Sequence, residues 1–327
     1  MSGPLLAVDD IQVLFPTRQG TLRALDGVSL ELQRGETLGL VGESGCGKST
    51  LGKTIVGLVK PTRGSVKLDG AEIVGANRGE LRRQRARMQM IFQDPYASLN
   101  PRLPVGRIIE EPLIVHSIGN PRERRERVIA LAQRVGLHAD ALGRHPHEFS
   151  GGQRQRVGIA RALALNPELI ICDEPVSALD VSVQAQVINL LADLQREHGL
   201  SYLFISHDLS VVQHIAHRVA VMYLGKIVEQ SPRARLWSQP LHPYTRALIK
   251  SVPIPDPGQP GLRDQTVIEG EIPSSIDPPS GCRFRTRCPF AAAVCAEREP
   301  PLNKIAEDHW VACHFVERST DGRIRAP

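Results

Sequence analysis

The nine residues 42–50, reading Gly-Glu-Ser-Gly-Cys-Gly-Lys-Ser-Thr, constrain this chain more than any other stretch. They follow the apolar run 37–41 and lead into the helix-like run 51–58. That is the strand–loop–helix setting of a glycine-rich phosphate loop. Backbone N–H groups must crowd round phosphate oxygens, so side chains at Gly45 and Gly47 would obstruct, and the helix N-terminus adds a partial positive charge. Gly42, Glu43, Ser44, Gly45, Cys46, Gly47, Lys48, Ser49 and Thr50 are therefore the expected binding loop for a nucleoside triphosphate. Lys48 is expected to reach the β- and γ-phosphates and Ser49 to ligate Mg²⁺. An ordinary glycine-rich turn would account for the glycines but not for the flanking strand and helix.

A second set of residues gives the loop its chemistry. The apolar run 169–172 ends in Asp173 and Glu174, which reads as a buried parallel strand delivering two carboxylates to the edge where the phosphate loop lies. Asp173 suits the Mg²⁺ shell and Glu174 suits activation of an attacking water. Most acidic pairs are solvated surface; a pair ending a buried strand is a stronger signal. Upstream, Ser150, Gly151, Gly152 and Gln153 precede a run with Val157, Ala160, Leu163 and Ala164 at helical spacing, stopped by Asn166 and Pro167. This is another helix N-terminus prepared for an anion.

The ordered set resembles the nucleotide-binding subunits of ATP-binding-cassette (ABC) transporters over residues 5–250. The resemblance implies a phosphate-loop α/β fold: a RecA-like core sheet, an antiparallel β subdomain and an inserted helical subdomain at about 96–165. It makes Gln93 the glutamine-loop residue and a further Mg²⁺ ligand, and residues 150–153 the signature facing ATP held by a partner. Asp180 falls in the D-loop, and His207 is the switch histidine touching the γ-phosphate. The adenine-stacking aromatic of the family, commonly tyrosine, matches Phe15, and stacking survives loss of the hydroxyl. Phe149 stands where leucine is commoner. The family also implies a head-to-tail dimer with a homologous ATPase, so that Lys48, Glu174 and His207 act in composite sites.

The bulk properties fit. With 327 residues, 41% hydrophobic, the chain can bury a sizeable core, and its length suggests two domains. No apolar run of about 18 residues occurs, and residues 1–10 lack the basic start of a signal peptide. The expected location is thus peripheral, on the cytoplasmic face of the inner membrane, with two permease subunits as partners and an extracytoplasmic solute-binding protein beyond them. The net charge of +5 raises a rival class, an ABC ATPase acting on nucleic acid. Much of the excess lies in 82–87 and 122–127, without the interleaved aromatics of a stacking surface, so no nucleic acid is expected.

Along the chain, residues 122–135 read as an amphipathic helix, and strands at 169–172, 202–205 and 219–223 alternate with helices at 184–197 and 209–217. After about 232 the composition changes, with proline-rich stretches at 253–260 and 273–281, and a small cysteine-containing second module is expected over 251–327. Residues 241–248, 281–289, 312–315 and 96–102 resemble the oligopeptide and dipeptide importer ATPases, particularly the F-type subunit. That implies peptide import; nickel and glutathione importers are close relatives.

Cys282, Cys288, Cys295 and Cys313 follow C-x5-C-x6-C-x17-C, open to disulfides, free thiols, zinc or an iron–sulfur cluster. A cytosolic setting disfavours disulfides, and tight zinc pairs are absent. The Cys288–Pro289 turn and the family resemblance imply a [4Fe-4S] cluster, with Arg283, Arg285 and Arg287 offsetting its charge. Cys46 and Cys172 are set aside as loop and strand residues. His145 and His147 read as loop residues, His309 and His314 bracket Cys313 as alternative ligands, and His242 has no sequence-level account.

Overall fold

A computed structural model describes residues 3–251, 270–318 and 324–327. Strands β1 (Leu6–Thr17) and β2 (Gly20–Leu32) form an antiparallel hairpin. The chain then dives through β3 (Thr37–Val41) into α1 (Lys48–Ile55) and returns by β4 (Arg63–Leu68) and β5 (Ala71–Glu72) to complete a four-stranded sheet in the order β2-β1-β4-β5. This is the antiparallel β subdomain. Along β1, buried Leu6, Val8, Ile11 and Val13 alternate with more exposed residues, as a sheet with one packed face requires.

A helical insertion separates β6 (Met88–Ile91) from β7 (Leu169–Asp173). Before it stands α2 (Arg78–Arg87), where Asn77 and Glu80 form a capping box. Within it lie α3 (Pro95–Ser98), α4 (Val105–Val115), α5 (Pro121–Arg134) and α6 (Gly151–Leu163). Capping boxes Asn120–Glu123 and Ser150–Gln153 start α5 and α6. Buried Ile108, Ile109, Leu113, Val128, Ala132, Val157 and Ala160 join these helices. α4 carries Pro112 inside it, so sequence periodicity alone would have broken it there.

From β7 the chain alternates: α7 (Val181–His198), β8 (Ser201–Ser206), α8 (Leu209–Ile215), β9 (Arg218–Tyr223), β10 (Lys226–Pro232), α9 (Arg233–Ser238) and α10 (Pro243–Lys250). β3, β7 and β8 are buried at every position, the pattern of parallel strands covered on both faces. The main sheet runs β11-β12-β10-β9-β3-β8-β7-β6, with β9, β3, β8, β7 and β6 parallel. β11 (Asn303–Ala306) and β12 (His309–Val311) belong to the C-terminal segment. The sequence suggests a separate small module there; in the structure β12 pairs with β10, Glu229 opposite Val311 and Gln230 opposite Trp310, and extends the main sheet. The proline-rich stretch 253–260 lies within 252–269, outside the described residues, and the expected boundary between 250 and 251 falls at the end of α10.

Candidate active site

The phosphate loop is shaped by contacts that only glycine permits at two points. A Cβ on Gly42 would come to 2.1 Å from the Met222 carbonyl oxygen and one on Gly47, at φ +109°, to 2.3 Å from that of Ala24. Gly45, at φ +78°, faces open space, so glycine serves backbone conformation there. Gly47 leads directly into α1, whose N-cap makes no side-chain hydrogen bond, a helix N-terminus suited to an anion. Lys48, only 4% exposed, donates from Nζ to the carbonyls of Gly42 at 2.8 Å and Glu43 at 2.9 Å. Burial pushes the Cys46 thiol up, so that side chain is neutral filler.

Across the loop, the end of β7 delivers its carboxylates as expected. Ser49 Oγ donates to Asp173 Oδ1 at 2.7 Å. Burial raises the Asp173 carboxyl above the ordinary aspartate range, with the Ser49 hydrogen bond opposing it. A hydroxyl and a carboxylate oxygen side by side are the hard donors a Mg²⁺ ion takes. Glu174 sits in the left-handed region at φ +46°, a conformation that costs a non-glycine residue about 1 kcal/mol or more. Its N–H donates to the Ile205 carbonyl at 3.0 Å. One of its oxygens, Oε2, accepts from Gln93 Nε2 at 2.9 Å and lies 3.1 Å from His207 Nδ1. Three side chains from distant parts of the chain therefore meet at one atom. Gln93 bonds this carboxylate; the structure records no bond from it to Asp173 or Ser49.

The remaining expected residues are placed elsewhere. Ser150 Oγ accepts from the Gln153 N–H at 3.3 Å while Gln153 Oε1 accepts from the Ser150 N–H at 3.0 Å, so the glutamine side chain is engaged in its own helix cap. Gly152 is needed for packing, since a Cβ would come to 2.4 Å from Val183 Cγ1 on α7, and Gly151 lies beside Leu179. Among the described residues, hydrogen bonds tie the expected signature residues 150–153 to their own helix rather than to the phosphate loop. Asp180 precedes α7 without a side-chain cap bond, next to Val181, which is 80% exposed. Phe15, on β1, is 38% exposed.

Two contacts to the loop have no counterpart in the sequence reading. Tyr244 Oη accepts from the Glu43 N–H at 2.9 Å, and Arg287 donates to both Glu43 carboxylate oxygens at 2.8 and 2.9 Å. His242 now has a physical role: its Nδ1 accepts from the Tyr244 N–H at 3.1 Å and caps α10. The motif is built on Glu229, whose buried carboxylate accepts from the Leu241 and His242 N–H groups at 2.9 Å each and pairs with His309 Nε2 at 2.8 Å. The unexplained His-Pro-Tyr stretch was the only sequence signal for this connection.

The expected [4Fe-4S] cluster is corrected. Among the described residues, no group of three or more His, Cys, Asp or Glu side chains is placed to hold a metal, and all six cysteines are free. Cys282 and Cys288 pack against the main core and Cys313 against a small cluster of Leu241, Ile305, Val311 and Val316. Burial pushes the Cys282 thiol up to about 11 and raises Cys288 and Cys313, as it does for thiols packed among apolar side chains. The arginines expected to offset cluster charge have other partners: Arg283 pairs with Asp26, Arg285 donates to the Ser280 carbonyl at 2.9 Å, and Arg287 holds Glu43. The alternative ligands are engaged too, His309 with Glu229 and His314 with the Arg298 carbonyl at 2.9 Å.

Comparison with known proteins places this geometry in context. The ABC transporter family profile matches residues 25–177, and that of the oligopeptide/dipeptide transporter C-terminal region matches 228–295. The chain is 54% identical to the oligopeptide transport ATP-binding protein AppF of Bacillus subtilis over 95% of its length and 97% of that protein. It is 53% identical to the putative oligopeptide transport ATP-binding protein YkfD of the same organism, covering 98% of this chain and 99% of that one. Among solved structures, the dimeric post-hydrolysis state of the ATP-binding cassette MJ0796 bound to ADP and Pi is similar, with a TM-score of 0.65 and 31% identity over 70% of this chain and 98% of that chain.

Proposed function

The chain belongs to the ABC transporter ATPases, and on that premise we propose that it powers peptide import by hydrolysing ATP at the site formed by residues 42–50, Gln93, Asp173, Glu174 and His207. The observation that carries this reading is the meeting of Gln93, Glu174 and His207 at one carboxylate oxygen, beside a strand whose preceding residue, Asp173, bonds Ser49 of the phosphate loop. Glu174 accepts a proton from water as the water oxygen attacks the γ-phosphorus; the bond to the β-bridging oxygen breaks, giving ADP and phosphate. Lys48 balances the charge that collects on the β- and γ-oxygens. Ser49 and Asp173, with Gln93 nearby, would hold Mg²⁺, which supplies charge neutralisation to the triphosphate. Phe15 presents an exposed ring for the adenine. His207, sharing the Glu174 oxygen, can report the γ-phosphate to the general base.

Ser150, Gly151, Gly152 and Gln153, at a capped helix start, face ATP bound by a homologous ATPase subunit, and Asp180 lies in the contact between the two. The assembly includes two membrane permeases, to which this chain binds peripherally on the cytoplasmic face, and an extracytoplasmic solute-binding protein. Among the described residues, no helix is long and apolar enough to cross a membrane, so translocation belongs to those partners. The division of labour is a cassette over 5–250 and a transporter-specific extension over 251–327. Peptide as the solute is supported by the names of the relatives and by the matched C-terminal region. Uptake of labelled di- and oligopeptides into vesicles carrying the permease pair and this subunit tests the reading: Glu174→Gln should abolish uptake. Uptake of nickel or glutathione in place of peptide would overturn the substrate.

A further inference from the structure

Glu43, the second residue of the phosphate loop, is gripped at both ends by the C-terminal quarter of the chain. Its N–H is taken by Tyr244 Oη and its carboxylate by the two Nη atoms of Arg287. Its carbonyl accepts from Lys48 Nζ at 2.9 Å, so the residue that the C-terminal segment holds also orients the phosphate-binding lysine. The grip is built into an aromatic core. Tyr223 packs on Tyr244 at 4.7 Å and on Phe284 at 5.3 Å between ring centroids, and the Arg287 guanidinium lies 5.9 Å from the Tyr223 ring. The Arg287 side chain is 5% exposed and that of Glu43 is 21% exposed. A bidentate pair in such surroundings is strong and directional.

We propose that Arg287 and Tyr244 are positioning residues for the phosphate loop: they fix Glu43, cancel its charge beside the triphosphate, and so set the affinity for ATP. The proposal rests on the ATP site assigned above. Without Arg287, a carboxylate stands next to the phosphates with no cation of its own, and repulsion between like charges weakens nucleotide binding. The catalytic cluster at Glu174 is untouched, so turnover at saturating ATP should hold.

The test uses the full-length chain, binding a fluorescent ATP analogue, and KM and kcat in the assembled transporter. Arg287→Met should raise Kd and KM about tenfold, the size of one lost charge-assisted pair, with kcat within about twofold. Arg287→Lys, which keeps the charge but loses the fork, should fall between. Tyr244→Phe should raise Kd about threefold, the size of one neutral hydrogen bond. The distinguishing result is the double variant: Glu43→Gln removes the uncompensated charge, so Glu43→Gln with Arg287→Met should recover most of the lost affinity. Unchanged affinity in Arg287→Met and Arg287→Lys overturns the proposal. Failure of Glu43→Gln to restore binding also overturns it, leaving Arg287 a packing residue. Lys48→Ala should lose nucleotide binding whether or not the grip exists; retained binding there would sink the ATP-site reading itself.

Discussion

Glu174, the proposed general base, sits at a backbone angle few residues adopt, with one oxygen shared between Gln93 and His207. A conformation that unfavourable persists where surrounding bonds over-determine it, and the Ile205 carbonyl, Gln93 and His207 do so here. Glutamine at this position keeps the size and the contacts but cannot accept the proton. Glu174→Gln should therefore bind ATP normally while hydrolysis in the assembled transporter slows by roughly 10² to 10⁴, the range for loss of a positioned general base. The same variant should accumulate a closed, ATP-bound dimer by size-exclusion chromatography. Near-normal turnover would show that another group does this work.

At the scale of elements, α10 and the strands around it depend on a polar knot: Glu229 on β10, His242 at the start of α10, and His309 on β12. Burial lowers the His242 imidazole from the ordinary 6.5 to about 4. The unfolded chain takes up a proton near 6.5 and the folded chain resists until about 4, so stability is fully present above about 6.5 and declines as pH falls toward 4. Integrated over that window the loss is about 3 kcal/mol. Thermal melts across pH 4 to 8 should show this slope in the native chain, and His242→Gln should flatten it; an equal slope in both would remove His242 as its source. What was legible in sequence differs by element for the same physical reason. β3, β7, β8 and the loop after β3 announce themselves because buried parallel strands and phosphate loops impose local composition. The residues 150–153, 173, 174 and 207 were legible as candidates because each lies in a short contiguous pattern. Tyr244 and Arg287 were not, since their partner Glu43 lies about two hundred residues away and nothing local encodes that pairing. The four late cysteines misled for the opposite reason: a suggestive spacing, in side chains of which Cys282, Cys288 and Cys313 pack against apolar clusters and Cys295 is buried.

On the scale of the whole molecule, β11 and β12 lengthen the sheet whose other strands carry the phosphate loop and the carboxylates, so the C-terminal segment and the candidate site share one framework. Within this framework residues 150–153, the proposed signature, are tied to their own helix, and Val181 beside Asp180 is exposed at the start of α7. On the proposed function hydrolysis is a property of the assembly, and its control should lie in the solute delivered to the permeases. Net positive charge offers the contrary expectation, stimulation by nucleic acid. The direct measurement is the ATP hydrolysis rate of the reconstituted assembly in lipid vesicles, with and without peptide-loaded binding protein, and with DNA or RNA in its place. The account predicts stimulation by peptide, abolished by Glu174→Gln, and no response to nucleic acid; a rate that rises with DNA or RNA and ignores peptide would contradict it.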